Sequence, residues 1–167
     1  MQFWIGVKNV KTKEEFVMKE LQKKVEYFFI DKESELYESA IDLRYREFYE
    51  KFNRTRESIF DEIEDKSLKI VACIDNKVIG HARLFIDNSI GEITQVVVEQ
   101  NYRSLNIGAN IVKKLIEEGK KQSVEKICLD ARIYAIDFYR KLGFKTNGEI
   151  FESKKSGLPH IRMEVYL

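Results

Sequence analysis

Residues 103–109, Arg103-Ser104-Leu105-Asn106-Ile107-Gly108-Ala109, have the make-up of an anion site. They stand between a β-branched run that ends at Val98 and apolar residues at helical spacing, Ile107, Ile111 and Leu115. A helix that starts directly after a strand points its first N–H groups, unpaired within the helix, past the strand's end. Those donors and their partial positive charge suit a phosphate. Arg103 adds a fixed charge, and Gly108 with Ala109 lets a bulky ligand come close to the backbone. The same residues also suit a plain strand-to-helix turn with an exposed arginine. Neither a G-x-x-x-x-G-K-[ST] loop nor a G-x-G-x-x-G fingerprint is present.

Two other residues could do covalent or proton chemistry. His160 has the side chain whose ordinary pKa, near 6.5, suits taking a proton from an amine. At the start of a strand such a residue is more often structural or substrate-positioning. Cys128 could be a nucleophile, but it lies mid-strand with no activating histidine near it in sequence, so no acyl-cysteine step is expected. Cys73 and Cys128 read as buried, reduced thiols. With only His81 and His160 and no close Cys/His pairing, no metal site is expected.

These residues need a scaffold. At 167 residues the chain has the length of one domain. Its net charge of +1 leaves no large electrostatic footprint for nucleic acid or an anionic membrane, so neither is expected as a partner. No stretch approaches the roughly 18 apolar residues of a membrane span, and the expected location is cytoplasmic. A short strand is expected at residues 3–7 and a helix over 13–24. A strand over 26–30 (EYFFI) follows, then helices over 33–52 and 55–63. Next comes an antiparallel meander, 68–74, 78–86 and 90–98, turned at Asp75-Asn76-Lys77 and Asp87-Asn88-Ser89. Helix 107–120, strand 126–130, helix 134–142 and strands 144–151 and 160–166 complete a mixed α/β sheet.

Two segments then carry a resemblance. Val98-Glu99-Gln100-Asn101-Tyr102-Arg103-Ser104-Leu105-Asn106-Ile107-Gly108-Ala109 is similar to V-x-P-x-[YF]-[RQ]-x-x-G-x-[GA], the diagnostic segment of the GNAT superfamily of acyl-CoA-dependent N-acyltransferases. Gln100 stands for the usual Pro, and Asn106 for the first Gly. Asn tolerates left-handed backbone angles better than most residues. Ala135-Ile136-Asp137-Phe138-Tyr139-Arg140-Lys141-Leu142-Gly143-Phe144 is similar to the family's A-x-x-F-Y-x-x-x-G-F. The tail Gly157-Leu158-Pro159-His160-Ile161-Arg162-Met163 resembles the G-[IL]-P-H-x-x-M ending of ElaA-like bacterial members. The resemblance covers roughly residues 26–167, so residues 1–23 read as an N-terminal extension and 24–167 as the domain.

The resemblance implies a GNAT-type, mostly antiparallel central sheet, splayed at the acyl-CoA site, with helices on both faces. It implies acetyl-CoA as acyl donor, direct ternary-complex transfer and a small-molecule or peptide amine as acceptor, in a monomer or homodimer. The pantetheine would lie along Val96, Val97 and Val98. The pyrophosphate would lie on Arg103, Ser104, Leu105, Asn106, Ile107, Gly108 and Ala109. Tyr139 stands where many members direct a phenol at the thioester sulfur, and a phenol suits proton donation to a thiolate. An aromatic at helical spacing is otherwise core. Glu92 stands where histone-acetyltransferase-like members carry a base glutamate; burial could raise its pKa, or it is an ordinary strand-edge carboxylate. The alternative function is a non-catalytic acyl-CoA-binding regulatory module.

Overall fold

Left-handed turn residues organise the centre of the sheet. Asp75, Asn76 and Asn88 take φ of 47°, 61° and 53°, a region that Asn and Asp tolerate better than most side chains. They close β2 (Leu68–Ile74), β3 (Lys77–Asp87) and β4 (Ile90–Val98) into the expected antiparallel meander. β1 (Glu26–Ile30) adds antiparallel to β2. After β4 the chain crosses through α3 (Ile107–Lys121) to β5 (Lys126–Arg132), parallel to β4. β8 (Pro159–Tyr166) runs antiparallel to β5, and the two-residue strands β6 (Lys145–Thr146) and β7 (Phe151–Glu152) both pair with it. The result is an eight-stranded, mostly antiparallel sheet in the order β1-β2-β3-β4-β5-β8-β6. The computed structural model describes residues 12–167, and the strand expected at 3–7 lies outside them.

Strand alternation decides which face each helix covers. Ile70, Ala72, Ala82, Leu84 and Ile93 pack against Ile107, Ile111 and Leu115 of α3. Fully buried Ile107 and Ile111 each contribute about 1.5–3 kcal/mol. Gly80 permits this approach, because a Cβ there would stand 3.0 Å from both isoleucines. α4 (Ile136–Lys141) adds Phe138 and Tyr139 to the same core. α1 (Lys13–Lys23), started by a Thr12/Glu15 capping box, lays Met18 and Leu21 against it. On the opposite face Val71, Cys73, Val78 and Val97 lie under Ala40 and Leu43 of α2 (Tyr37–Arg44).

Three expected elements differ. The helix over 33–52 is α2 followed by a π-helical turn, Tyr45–Tyr49, and a 3-10 turn, Glu50–Phe52. Its apolar residues explain the change: Leu43 and Phe48 are five apart, and an inserted residue returns Phe48 to the face of Ala40 and Leu43. The helix over 55–63 is only a 3-10 turn, Arg56–Ile59. Beyond it the chain turns to set Asp61 and Glu64 against Arg83 and Arg44. The strand over 144–151 is reduced to β6 and β7, interrupted at Gly148 with φ of 88°.

Candidate active site

The site begins with an irregularity in β4. Arg83 pairs with Thr94 but His81 with Val97, so Gln95 and Val96 together face one residue of β3. Gln95 takes φ of 59°, as in the bulge type that normally uses glycine. Its amide nitrogen donates to the Tyr49 hydroxyl at 2.9 Å, which fastens the bulge to the π-helical turn. Nothing in the local sequence marks Gln95 as such a residue.

On its other side β4 leaves β5 early. The two strands pair only at Ile90/Lys126, Gly91/Ile127 and Glu92/Cys128. From there to Val98 and Arg132 the pairing stops, and among the described residues the β5-facing edge of β4 has no strand partner. The sheet is therefore splayed, as the family resemblance implies, and the opening leads to the start of α3. Asn106 is the left-handed residue at that junction, with φ of 56° and ψ of 18°, and its side chain makes no capping bond. The first N–H groups of α3, from Ile107, Gly108 and Ala109, are thus left for an external acceptor. A Cβ on Gly108 would meet only ordinary contacts, 3.4 Å to Phe138 and 3.6 Å to Val98. The chain's own packing does not demand glycine there. Leu105 and Ile107 turn into the core, while Ser104 is exposed. Arg103 is anchored by Nε to the Val98 carbonyl at 3.0 Å and by Nη2 to Glu47 at 3.1 Å.

One cleft of about 1110 Å³ joins the splay, the α3 start and an open stretch of sheet. Val96, Val98, Arg103, Asn106, Gly108, Ala109, Tyr139, Glu92 and His160 all line it. Val97 points to the opposite face, under α2. Tyr139 is 9% exposed and packs edge-on to Phe138 and Phe144. Burial pushes its phenol up, so it stays protonated across the physiological range. Glu92 is not in an apolar setting. Its carboxylate accepts from Arg162 at 3.1 Å, and the same guanidinium nitrogen bonds Asp130 at 3.0 Å. Burial lowers the Arg162 pKa, but bonds to Glu92 and Asp130 outweigh it and raise it overall. His160 lies 2.8 Å through Nδ1 from the Leu158 carbonyl. A carbonyl can only accept, so Nδ1 carries the proton and Nε2 of the neutral ring keeps its lone pair. Cys128 is buried at the last β4/β5 pair.

Sequence reading missed the charged wall beside this cleft. Arg83, fully buried on β3, donates to Asp61 at 2.9 Å and to Glu64 at 2.6 Å. Glu64 also accepts two bonds from buried Arg44, at 2.9 and 2.8 Å. Burial favours a neutral Asp61, but Arg83 and Lys155 overcome it and lower its pKa. His81, fully buried behind the bulge, is pushed down to about 3, by burial first and then by the charge of Arg44, and is neutral. Arg83 sits in an alternating strand where it reads as a surface residue; its partners lie 19 and 22 positions away.

Comparison with known proteins agrees with this geometry. Residues 29–167 match the family model described as an acetyltransferase (GNAT) domain. YjcF, an uncharacterized N-acetyltransferase of Bacillus subtilis, is 28% identical over 134 residues, 80% of this chain and 95% of that protein. Escherichia coli ElaA superposes with a TM-score of 0.71 at 21% identity, covering 84% of this chain and 98% of ElaA. An aminoglycoside 6'-N-acetyltransferase complexed with coenzyme A superposes with a TM-score of 0.69 at 17% identity, covering 84% and 96%.

Proposed function

The chain belongs to the GNAT acetyltransferase family, and on that premise we propose that it moves an acetyl group from acetyl-CoA to a primary amine within a ternary complex. The observation that carries this reading is the splayed edge of β4, without a strand partner among the described residues, followed through a 3-10 turn, Gln100–Leu105, by the open N-terminus of α3. When bound, acetyl-CoA supplies the activated acetyl group. The β4 edge around Val96 and Val98 holds the pantetheine by backbone hydrogen bonds, and the α3 start holds the pyrophosphate. Backbone N–H groups of that edge also face the oxygen on which charge develops when the amine attacks.

Tyr139 gives its phenolic proton to the departing sulfur as the C–S bond breaks. Its place in the cleft supports that role. Glu92, bonded to Arg162, draws the acceptor's ammonium to the floor of the cleft. His160 takes the proton from the nitrogen through Nε2, by way of water. If Glu92 is instead the base, Glu92→Gln, and not His160→Gln, removes the acid limb of the kcat/KM profile.

The test of the whole reading is coenzyme A itself. At 100 times its Kd it should stabilise the fold by about 2.7 kcal/mol, or about 5–10 °C in Tm. No shift at millimolar concentration would overturn donor binding. Release of coenzyme A from acetyl-CoA across a panel of amines separates turnover from the binding-module alternative, which gives stabilisation without release.

A further inference from the structure

We propose that the acceptor bears an anionic group, a phosphate or a carboxylate, as well as its amine, and that Arg54 and Lys154 hold that group at the outer wall of the cleft. The inference rests on the acetyltransferase reading above and concerns the same site's substrate class.

The carboxylates that line the cleft are largely taken. Asp61 is held by Arg83 and, at 3.4 Å, by Lys155. Glu92 and Asp130 share the single guanidinium of Arg162. That last group carries one net negative charge, enough for one ammonium. An acceptor rich in ammonium groups would find no further carboxylate free of a cation except Glu152, which is exposed at β7.

The cations are distributed in the opposite way. Among the described residues Arg54, Arg132, Lys141 and Lys154 line the cleft without a carboxylate partner; Arg132 lies over the Phe48 ring, whereas Arg54 and Lys154 stand beside each other. Arg54 is placed by structure: Asn53, with φ of 53°, turns the chain, and the Arg54 backbone N–H bonds the Tyr49 carbonyl at 3.1 Å. One guanidinium nitrogen reaches the Lys154 carbonyl at 3.4 Å, which brings the two side chains' segments together and leaves other N–H donors unused. Beside the same cleft lie the buried cations Arg44, Lys69 and Arg83, which among the described residues form salt bridges with Asp61 and Glu64. The chain as a whole carries +1, so this positive excess is local. Low-dielectric surroundings strengthen its attraction for an anion. Arg and Lys side chains supply the charge-assisted bonds that phosphate and carboxylate accept.

The test uses protein saturated with coenzyme A, so that an added anion cannot occupy the donor site. Isothermal titration compares glucosamine 6-phosphate with glucosamine, 6-aminohexanoate with hexylamine, and kanamycin as a polycation. The expected result is about tenfold or tighter binding of at least one anion-bearing amine over the counterpart that lacks the anionic group, with kanamycin weakest. The phosphate and carboxylate pairs report which anion fits. In the Arg54→Gln/Lys154→Gln double variant, that preference should fall to within about twofold, while the Tm rise with coenzyme A shows that fold and donor site persist. Equal affinity within both pairs, tighter binding of kanamycin, or a preference that survives the double substitution overturns the proposal. Loss of the coenzyme A response in the unsubstituted protein would instead overturn the donor-site reading, independently of these affinities.

Discussion

Glu64→Gln isolates the ion network that backs the acceptor wall. The substitution keeps the shape and removes one charge. Glu64 is 4% exposed and accepts from Arg44 at 2.9 and 2.8 Å, from Arg83 at 2.6 Å and from the Tyr37 hydroxyl at 3.1 Å. Burial pushes its carboxyl up, but the bonds and charge of Arg44, with the charges of Arg83 and Lys69, hold it down to about 2. Lys69 is itself pushed down by burial, so the two arginines are the main partners. The interval from an ordinary 4.5 to about 2 corresponds to about 3 kcal/mol at neutral pH. Breaking a buried pair and stranding its arginines costs about 3–5 kcal/mol by an independent route. Both figures are a large part of the roughly 5–15 kcal/mol expected for a whole domain. Because the folded-state pKa is lowered, this stability is fully present above pH 4.5 and is lost as pH falls toward 2. Urea unfolding at pH 7 should therefore find the variant about 3 kcal/mol less stable, with Tm lower by about 6–12 °C. At pH 3.5 the gap should narrow, since the parent protein has begun to lose the same contribution. A variant within about 0.5 kcal/mol of the parent at pH 7, or a deficit that does not change with pH, would refute the argument.

Three further outcomes follow from the site. Tyr139→Phe keeps the ring in its edge-on packing and removes the proton, so kcat should fall about 10²–10⁴-fold with coenzyme A affinity retained; steady-state kinetics showing a loss only in KM would make Tyr139 a binding group. Asn106→Gly, at φ of 56°, should bind coenzyme A within about twofold of the parent, whereas Asn106→Val forces a β-branched residue into left-handed angles and should weaken binding and lower Tm. Cys128→Ala should leave direct transfer intact, and an acetylated Cys128 that reacts at the turnover rate, seen by rapid quench and mass spectrometry, would contradict it.

Local chemistry made much of this protein legible from its residues. The Asp75-Asn76 and Asn88 turns, the β-branched runs and the helical period over 107–120 depend on neighbours a few positions apart, and their elements lie within a residue of where they were expected. The motif around Asn106 also survives translation into structure, because an asparagine at left-handed φ is a local property. Even the π-helical turn has a local trace, the five-residue step from Leu43 to Phe48. The tertiary structure alone decided the rest. Gln95 has no glycine-like feature, and its bulge exists because Thr94 and Val97 must both pair with β3 while its amide reaches Tyr49, 46 residues away. The carboxylate of Glu92, which the sequence leaves open between a base and an ordinary strand-edge carboxylate, meets Arg162 across 70 residues. Arg83 becomes a buried member of the cleft wall through Asp61 and Glu64, both brought in by a segment that reads as helix and folds as a turn. Conformational preference resides in a residue and its neighbours, whereas the charge state and partner of a side chain depend on what the folded chain brings within a few ångströms of it.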